Sequence, residues 1–165
     1  VGEHENFYRD AEDTVVDPAT GDSVTSSKAA VFRWRPDFQN DFAARVQWGV
    51  KSVEQANHYP VAVLKGHNSG SPVFIQGKSR ETVTLDASES RDPDGDTLNH
   101  HWFVYPEAGT CANARQNLIS APDAAVTAVS VPENADADSI HIILRITDQR
   151  SPYLTAYKRV ILNIE

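Results

Sequence analysis

Methionine is absent from this chain, and cysteine appears once, as Cys111. A single cysteine excludes an internal disulfide, so the fold must stand on packing alone. Cys111 reads as a free thiol in a loop, because no neighbouring base is placed to activate it. One cysteine does not fix a compartment; periplasm, cell exterior and cytoplasm are all compatible with it. No apolar run is long enough to span a bilayer, and the first residues lack the basic-then-apolar pattern of a secretory signal. A chain that opens on Val1 and holds no methionine is expected to be a processed chain or a fragment of something longer. Basic residues number 15 against 23 acidic ones, a formal net charge of -8. That balance argues against nucleic acid or an anionic membrane as the main partner. Zinc-ligand spacing is missing as well, since the histidines are scattered.

What is present is organised around Val83 to Tyr105. Val83, Leu85 and Ala87 alternate with Thr84 and Asp86, the pattern of a half-buried strand. Asp92-Pro93-Asp94-Gly95-Asp96 is dense in turn formers and ends that strand. Leu98, His100, Trp102 and Val104 then alternate on a second strand. Two strands around an acidic turn, with Trp102 in the second, are the heart of an immunoglobulin-like sandwich. The 165 residues allow one such domain and an extra N-terminal piece.

Residues 1–28 are polar, acidic and without periodicity. They read as an extended arm or linker with one turn at Asp17-Pro18-Ala19-Thr20-Gly21-Asp22. Residues 29–58 hold an aromatic segment and a helix. Phe38, Phe42, Val46, Gly49, Val50 and Val53 recur at steps of three and four, which predicts an amphipathic helix from about Asp37 to Ala56 with that face packed inward. Pro36 suits its first turn, Asp37 and Asp41 its positive end, and Asn57 a left-handed C-terminal residue ahead of Pro60. Trp34 and Trp48 read as packing residues. Residues 59–165 read as the sandwich, with strands at Val61–Leu64, Val73–Ile75, from Thr82, Leu98–Val104, near Ile119, Val126–Val131, Ser139–Thr147 and Leu154–Ile164. With no helix between them, these predict antiparallel sheets. The fold class is therefore mainly β: an Ig-like antiparallel β-sandwich with one N-terminal amphipathic α-helix.

The outward face of the central strands is less polar than a solvated face should be, with His101, Phe103, Tyr105, His141 and Ile143. Either the helix covers it or it binds something; the helix's own apolar face favours cover.

Four aromatic residues are candidates for stacking on pyranose rings: Tyr59, Phe103, Tyr105 and Tyr153. Each also has a plain packing reading, and no evenly spaced aromatic run marks a flat platform. Asp92, Asp94 and Asp96 are candidate ligands for a structural calcium ion, with Asp86 and Asp148 as further donors if the fold brings them near. The competing reading is a solvated turn in which the carboxylates cap local N–H groups and Gly95 takes positive φ. No catalytic residue stands out. Glu107, Asp123 and Glu133 lie in loops, but nothing in sequence pairs them, and His58 and His141 read as hydrogen-bonded residues rather than bases.

Ala87-Ser88 through Asp92-Pro93-Asp94-Gly95-Asp96, followed by a strand Trp, resembles the polycystic-kidney-disease-type Ig-like repeat. A wider set is more specific: Phe32-Arg33-Trp34-Arg35, Gln39 to Arg45, Asn57-His58, Tyr105 to Thr110 and Ile140 to Leu144. Together these resemble the C-terminal domain of the bacterial nucleoside-hydrolase-related, cellulose-binding proteins, from about Asp13 onward. Val46 departs from that pattern, standing where methionine is expected. The resemblance implies a parent with an N-terminal nucleoside-hydrolase-like domain as partner, a link to plant-polysaccharide (cellulose) breakdown, and a secreted, periplasmic or envelope location. Nucleoside hydrolases hold calcium with an Asp cluster spaced D-x-D-x-x-x-D-D; here the adjacent Asp pair is missing, with His100 and His101 in that region. The expectation is therefore a non-catalytic accessory domain that supports the hydrolase-like domain and contacts carbohydrate. Alternatives are an independent carbohydrate-binding module, an enzyme half, and a calcium-stabilised cell-surface adhesion domain.

Overall fold

The structure, a computed structural model, describes residues 13–17, 20–67, 70–133, 135 and 137–165. The first twelve residues of the expected N-terminal arm, part of its expected turn, and residues 68, 69, 134 and 136 lie outside them. From Asp13 the chain forms a hairpin, β1 (Asp13–Val16) against β2 (Ser23–Ser26), in antiparallel register with Thr14 opposite Thr25. Its connection closes where the turn formers stand: the Gly21 N–H donates to the Asp17 carbonyl and the Asp17 N–H to the Asp22 carbonyl, both at 2.8 Å. The helix α1 (Ala29–Trp48) follows. Six further strands lie among the described residues: β3 (Val73–Gly77), β4 (Thr82–Asp86), β5 (Asn99–Val104), β6 (Val126–Ser130), β7 (Ser139–Thr147) and β8 (Thr155–Ile164).

These strands make a four-stranded sheet of order β3-β8-β7-β5 and a two-stranded sheet, β4-β6. The core lies between them. Period-2 alternation puts Ile140, Ile142, Leu144 and Ile146 of β7 inward, each 0% exposed. Val160 and Leu162 of β8 join them from one side, and Leu85 and Val129 from the smaller sheet. Trp102 on β5 is also 0% exposed, and its indole N–H donates to the Ala124 carbonyl at 2.9 Å. Burying an indole with its one donor satisfied adds apolar area without a desolvation penalty. Cys111 is a free thiol buried among these residues. The mainly β sandwich with one helix is as expected.

Five local expectations need correction. The pairing is not wholly antiparallel: β3 runs parallel to β8, with Val73 opposite Val160 and Gly77 opposite Ile164. Val61–Leu64 is not a strand; it makes isolated bridges from Val61 to Arg91 and from Leu64 to His67, although Val63 and Leu64 are buried. The helix begins eight residues before Asp37, at Ala29, and ends at Trp48, so Pro36 sits inside it rather than in its first turn. A proline there removes one backbone donor and normally breaks a helix. Here Trp34 and Asp37, on either side of it, are both clamped to the sheet, and tertiary packing rather than propensity holds the helix together.

The face of α1 that packs is also not the expected one. Phe38, Phe42 and Val46 are 48%, 70% and 57% exposed, and Val50 and Val53 beyond the helix are exposed too. Trp34, Asp37 and the buried Ala44 form the packed side instead. Asn57 is not a left-handed cap either. It is buried, and its side-chain N–H groups donate to Asp148 Oδ2 at 2.8 Å and to the Pro152 carbonyl at 3.0 Å.

Candidate functional site

The outward face of the four-stranded sheet is built in rows. The antiparallel register sets His101 opposite Arg145 and Arg145 opposite Tyr157, then Phe103 opposite Ile143 and Ile143 opposite Arg159. Trp34 of α1 comes down on this face. Its ring centroid lies 5.2 Å from Tyr157 at 89°, 6.0 Å from Phe103 and 6.5 Å from Tyr105. Edge-to-face pairs of this kind contribute about 1 kcal/mol beyond their buried area. Less than one turn further on, Asp37 accepts from Arg145 Nε at 3.0 Å, from a second Arg145 N–H, from the Tyr157 hydroxyl and from the Thr155 hydroxyl. Burial opposes the charge on Arg145, but the Asp37 carboxylate overrides it and raises the guanidinium above its usual value. Burial and the same carboxylate push the Tyr157 hydroxyl well up.

The helix therefore covers the middle of this face, as the sheet's aromatic character suggested, and leaves clefts beside it. One of about 500 Å³ lies between the β1 hairpin, Arg33, Trp34 and the His101–Phe103 edge of β5. Another, of about 520 Å³, runs past His101 and Arg145 to Gln149, Arg150 and Tyr153. His101 and Arg145 line both, so the two clefts adjoin. At the junction His101 stacks on Phe103, with centroids 6.0 Å apart and rings at 27°, and bonds Asp123 Oδ1 through Nδ1 at 2.6 Å.

The four aromatic candidates do not form one platform. Phe103 and Tyr105 share the Trp34 cluster. Tyr105 also lies under the Arg33 guanidinium, 5.2 Å from its ring centroid. Tyr153 lines the second cleft, where burial first and then the Asp37 charge raise its hydroxyl. Tyr59 stands apart in a third cleft of about 280 Å³ with Trp34, Asp37 and Phe38, packed edge-on against Trp48 at 5.9 Å. Trp34, Asp37, Arg145 and Tyr157 carry this surface, yet the sequence reading assigned none of them to it. The one signal was Arg145, a lone arginine among the aliphatic residues of β7; Asp37 is one of two acids on a helix that also carries three arginines.

The acidic turn is a compact unit. Ligand atoms of Asp92, Asp94 and Asp96 all lie within 4.8 Å of one another. Asp92 Oδ1 accepts the N–H groups of Asp94 at 2.8 Å and Asp96 at 3.3 Å, and Gly95 takes φ +80°. Asp94 accepts the backbone N–H of His58 at 2.8 Å and contacts its ring Nδ1 at 2.9 Å. Burial works against the Asp94 charge, but the His58 bonds and Arg150 hold its carboxyl below the usual range. The Arg150 guanidinium lies 3.5 Å from Asp94 and 3.4 Å from Asp96. Asp92 Oδ2 and Asp96 Oδ2 are buried without a hydrogen-bond partner. Of the two further donors considered, Asp86 is taken up locally by Ser88 and Lys65. Asp148 bonds Asn57 and the Leu154 N–H, and burial together with the Asp92 charge raises its carboxyl.

The sequence model of the family described as "Cellulose-binding protein Sde0182, C-terminal domain" matches residues 82–164. The chain belongs to that family. Among solved structures, a nucleoside hydrolase-related hypothetical protein from Saccharophagus degradans, associated with carbohydrate metabolism, is 34% identical with a TM-score of 0.79. The alignment covers 88% of this chain but 36% of that one, so the chain spans about a third of the relative's length. The PKD domain of the KIAA 1837 protein aligns over 58% of this chain and 83% of that one, at 17% identity and a TM-score of 0.37, too slight a likeness to argue from. Among curated proteins, none matches this sequence.

The segments that carry the family resemblance meet in space. Arg33 bonds Glu107 at 2.8 Å and lies over Tyr105, joining Phe32–Arg35 to Tyr105–Thr110. His58 reaches the acidic turn. Arg45, at the end of the Gln39–Arg45 segment, donates to the Tyr59 hydroxyl at 3.2 Å.

Proposed function

We propose that this chain is a non-catalytic accessory domain of a nucleoside-hydrolase-related protein that works in plant-polysaccharide metabolism. It supports a hydrolase-like domain and offers carbohydrate the aromatic groove at His101 and Phe103. One observation carries the reading: 88% of the chain aligns with about a third of a relative associated with carbohydrate metabolism. Family membership supports it, since the family is described as a C-terminal domain of a cellulose-binding protein. The surface chemistry agrees. A half-exposed imidazole stacked on a phenyl ring, beside Arg145, Asn99 and Gln149, pairs flat apolar faces with planar polar groups, as sugar recognition requires. A secreted or envelope-located parent fits this role, and no helix among the described residues is long and apolar enough to cross a membrane.

The test is retention on polysaccharide. Wild type should co-sediment with insoluble cellulose, and Phe103→Ala and Tyr153→Ala should each reduce the bound fraction. Wild type left entirely in the supernatant, with no retention on other plant polysaccharides in affinity gels, would remove carbohydrate contact from the proposal.

A further inference from the structure

The apolar stripe of α1 is the largest feature that the groove and the acidic turn leave unused. Val31, Phe42 and Val46 lie at helical spacing on an exposed side of the helix, 51%, 70% and 57% exposed, with Phe38, 48% exposed, at the margin where the third cleft begins. Single exposed apolar residues need no explanation, but a contiguous ridge with two phenylalanines does. We infer that this ridge is the surface on which the nucleoside-hydrolase-like domain of the same protein docks. The inference rests on the accessory-domain reading above and adds the place of contact.

Three observations select that occupant. First, most of the solved relative lies outside the aligned region, since this chain accounts for 36% of it. Second, the aligned 88% is more than residues 59–165 supply, so the alignment takes in part of the hairpin and helix region as well. The family model, by contrast, covers residues 82–164. Part of the region ahead of the sandwich is thus shared with a protein most of whose chain lies outside the alignment. Third, the family is described as a C-terminal domain, which puts the rest of such a protein on the N-terminal side of the matched residues 82–164, the side of the chain on which α1 lies. The chemistry of the ridge also fits. Valine and phenylalanine on a convex helix suit the apolar groove of another protein, whereas sugar surfaces pair flat rings with polar partners.

The experiment uses this chain, as wild type and as the double variant Phe42→Glu/Val46→Glu, with the polypeptide encoded directly ahead of Val1 expressed separately. Binding is read by titration calorimetry and sedimentation velocity. Wild type should form a one-to-one complex, and the double variant should bind at least about tenfold more weakly, as loss of apolar anchors predicts. Its melting temperature should stay at the wild-type value, because both side chains already face solvent. Equal binding by wild type and variant overturns the docking surface and leaves the accessory reading intact. No complex with wild type, or an upstream polypeptide that is not hydrolase-like, overturns both. Wild type alone sedimenting as a dimer that the variant abolishes, or retention on cellulose lost only in the variant, assigns the ridge to a second copy or to carbohydrate and overturns the inference.

Discussion

Asp37 and Arg145 form a two-pronged ion pair between the middle of α1 and the centre of β7, with the Asp37 side chain 11% exposed. With the Trp34 contacts one turn earlier and the Trp48 indole N–H, which donates to the Asn57 carbonyl at 2.8 Å, it sets both the position and the rotation of the helix. The rotation places Trp34 on the aromatic layer and turns Phe38 and Phe42 to solvent.

Asp37→Asn should therefore cost about 2–4 kcal/mol, since it leaves a half-buried guanidinium without its counter-charge. Urea denaturation followed by tryptophan fluorescence would measure it. A loss under about 0.5 kcal/mol would mean that the pair behaves as a surface salt bridge.

Gly109 sits where a Cβ would lie 2.6 Å from the Ser139 carbonyl oxygen, a backbone atom that cannot swing aside. That carbonyl accepts from the N–H groups of both Thr110 and Cys111. Gly109→Ala should destabilise by about 1–3 kcal/mol through overpacking. Gly95→Ala should cost about 1 kcal/mol for a different reason: its φ of +80° is unfavourable for any residue with a Cβ, although the space around it is open. Thermal melts of the two variants separate crowding from backbone strain.

Stability should fall as the solution is acidified from neutrality. Burial holds both His100 and His141 below the ordinary imidazole value of 6.5; the Arg159 guanidinium adds to this for His141, and a backbone hydrogen bond to Ala87 opposes it for His100. Below 6.5 the unfolded chain takes up protons that the folded chain still refuses, so each histidine favours unfolding as pH drops towards its folded value. Above 6.5 both states are neutral there and the contribution is flat. Melting temperatures between about pH 7.5 and pH 5 should decline, and the decline should be shallower in His141→Gln. A flat profile over that range would contradict the burial of both rings.

Calcium should do little to this chain. An ion needs about six to eight oxygens, and the acidic turn has two carboxylate oxygens without hydrogen-bond partners, Asp92 Oδ2 and Asp96 Oδ2, with the Arg150 guanidinium already 3.4 Å from the second. Melts in millimolar calcium and in EDTA should agree within about 1 °C. A rise of several degrees with calcium would instead place an ion in the turn and revive the adhesion-domain alternative.

The strands were legible where one face is uniformly aliphatic. β7 declares itself because Ile140, Ile142, Leu144 and Ile146 leave no second reading of its period, and its bounds are those the pattern gave. Val61–Leu64 has the composition of a strand, but a strand also needs a neighbour in register, and composition cannot supply one. Nor could alternation show that β3 joins β8 in parallel, because partner choice is non-local. The helix was read from its apolar period, which marks the ridge turned to solvent, while its register on the sheet is set by Asp37 and Trp34. For the candidate site, the sequence pointed to Phe103 and Tyr105 on the outer face. It also favoured the helix as their cover, but it could not give the residues that make the contact, since Trp34 and Tyr157 come from elements far apart in the chain.

The position of β8 bears on how the protein is made. It hydrogen-bonds to β7 on one edge and β3 on the other, yet follows both in the chain. On the ribosome, β3 and β7 emerge before their common neighbour has been synthesised, and each presents an open edge while it waits. The larger sheet is thus assembled by late insertion of one strand between two earlier ones, a route that favours slow maturation and early protection by chaperones.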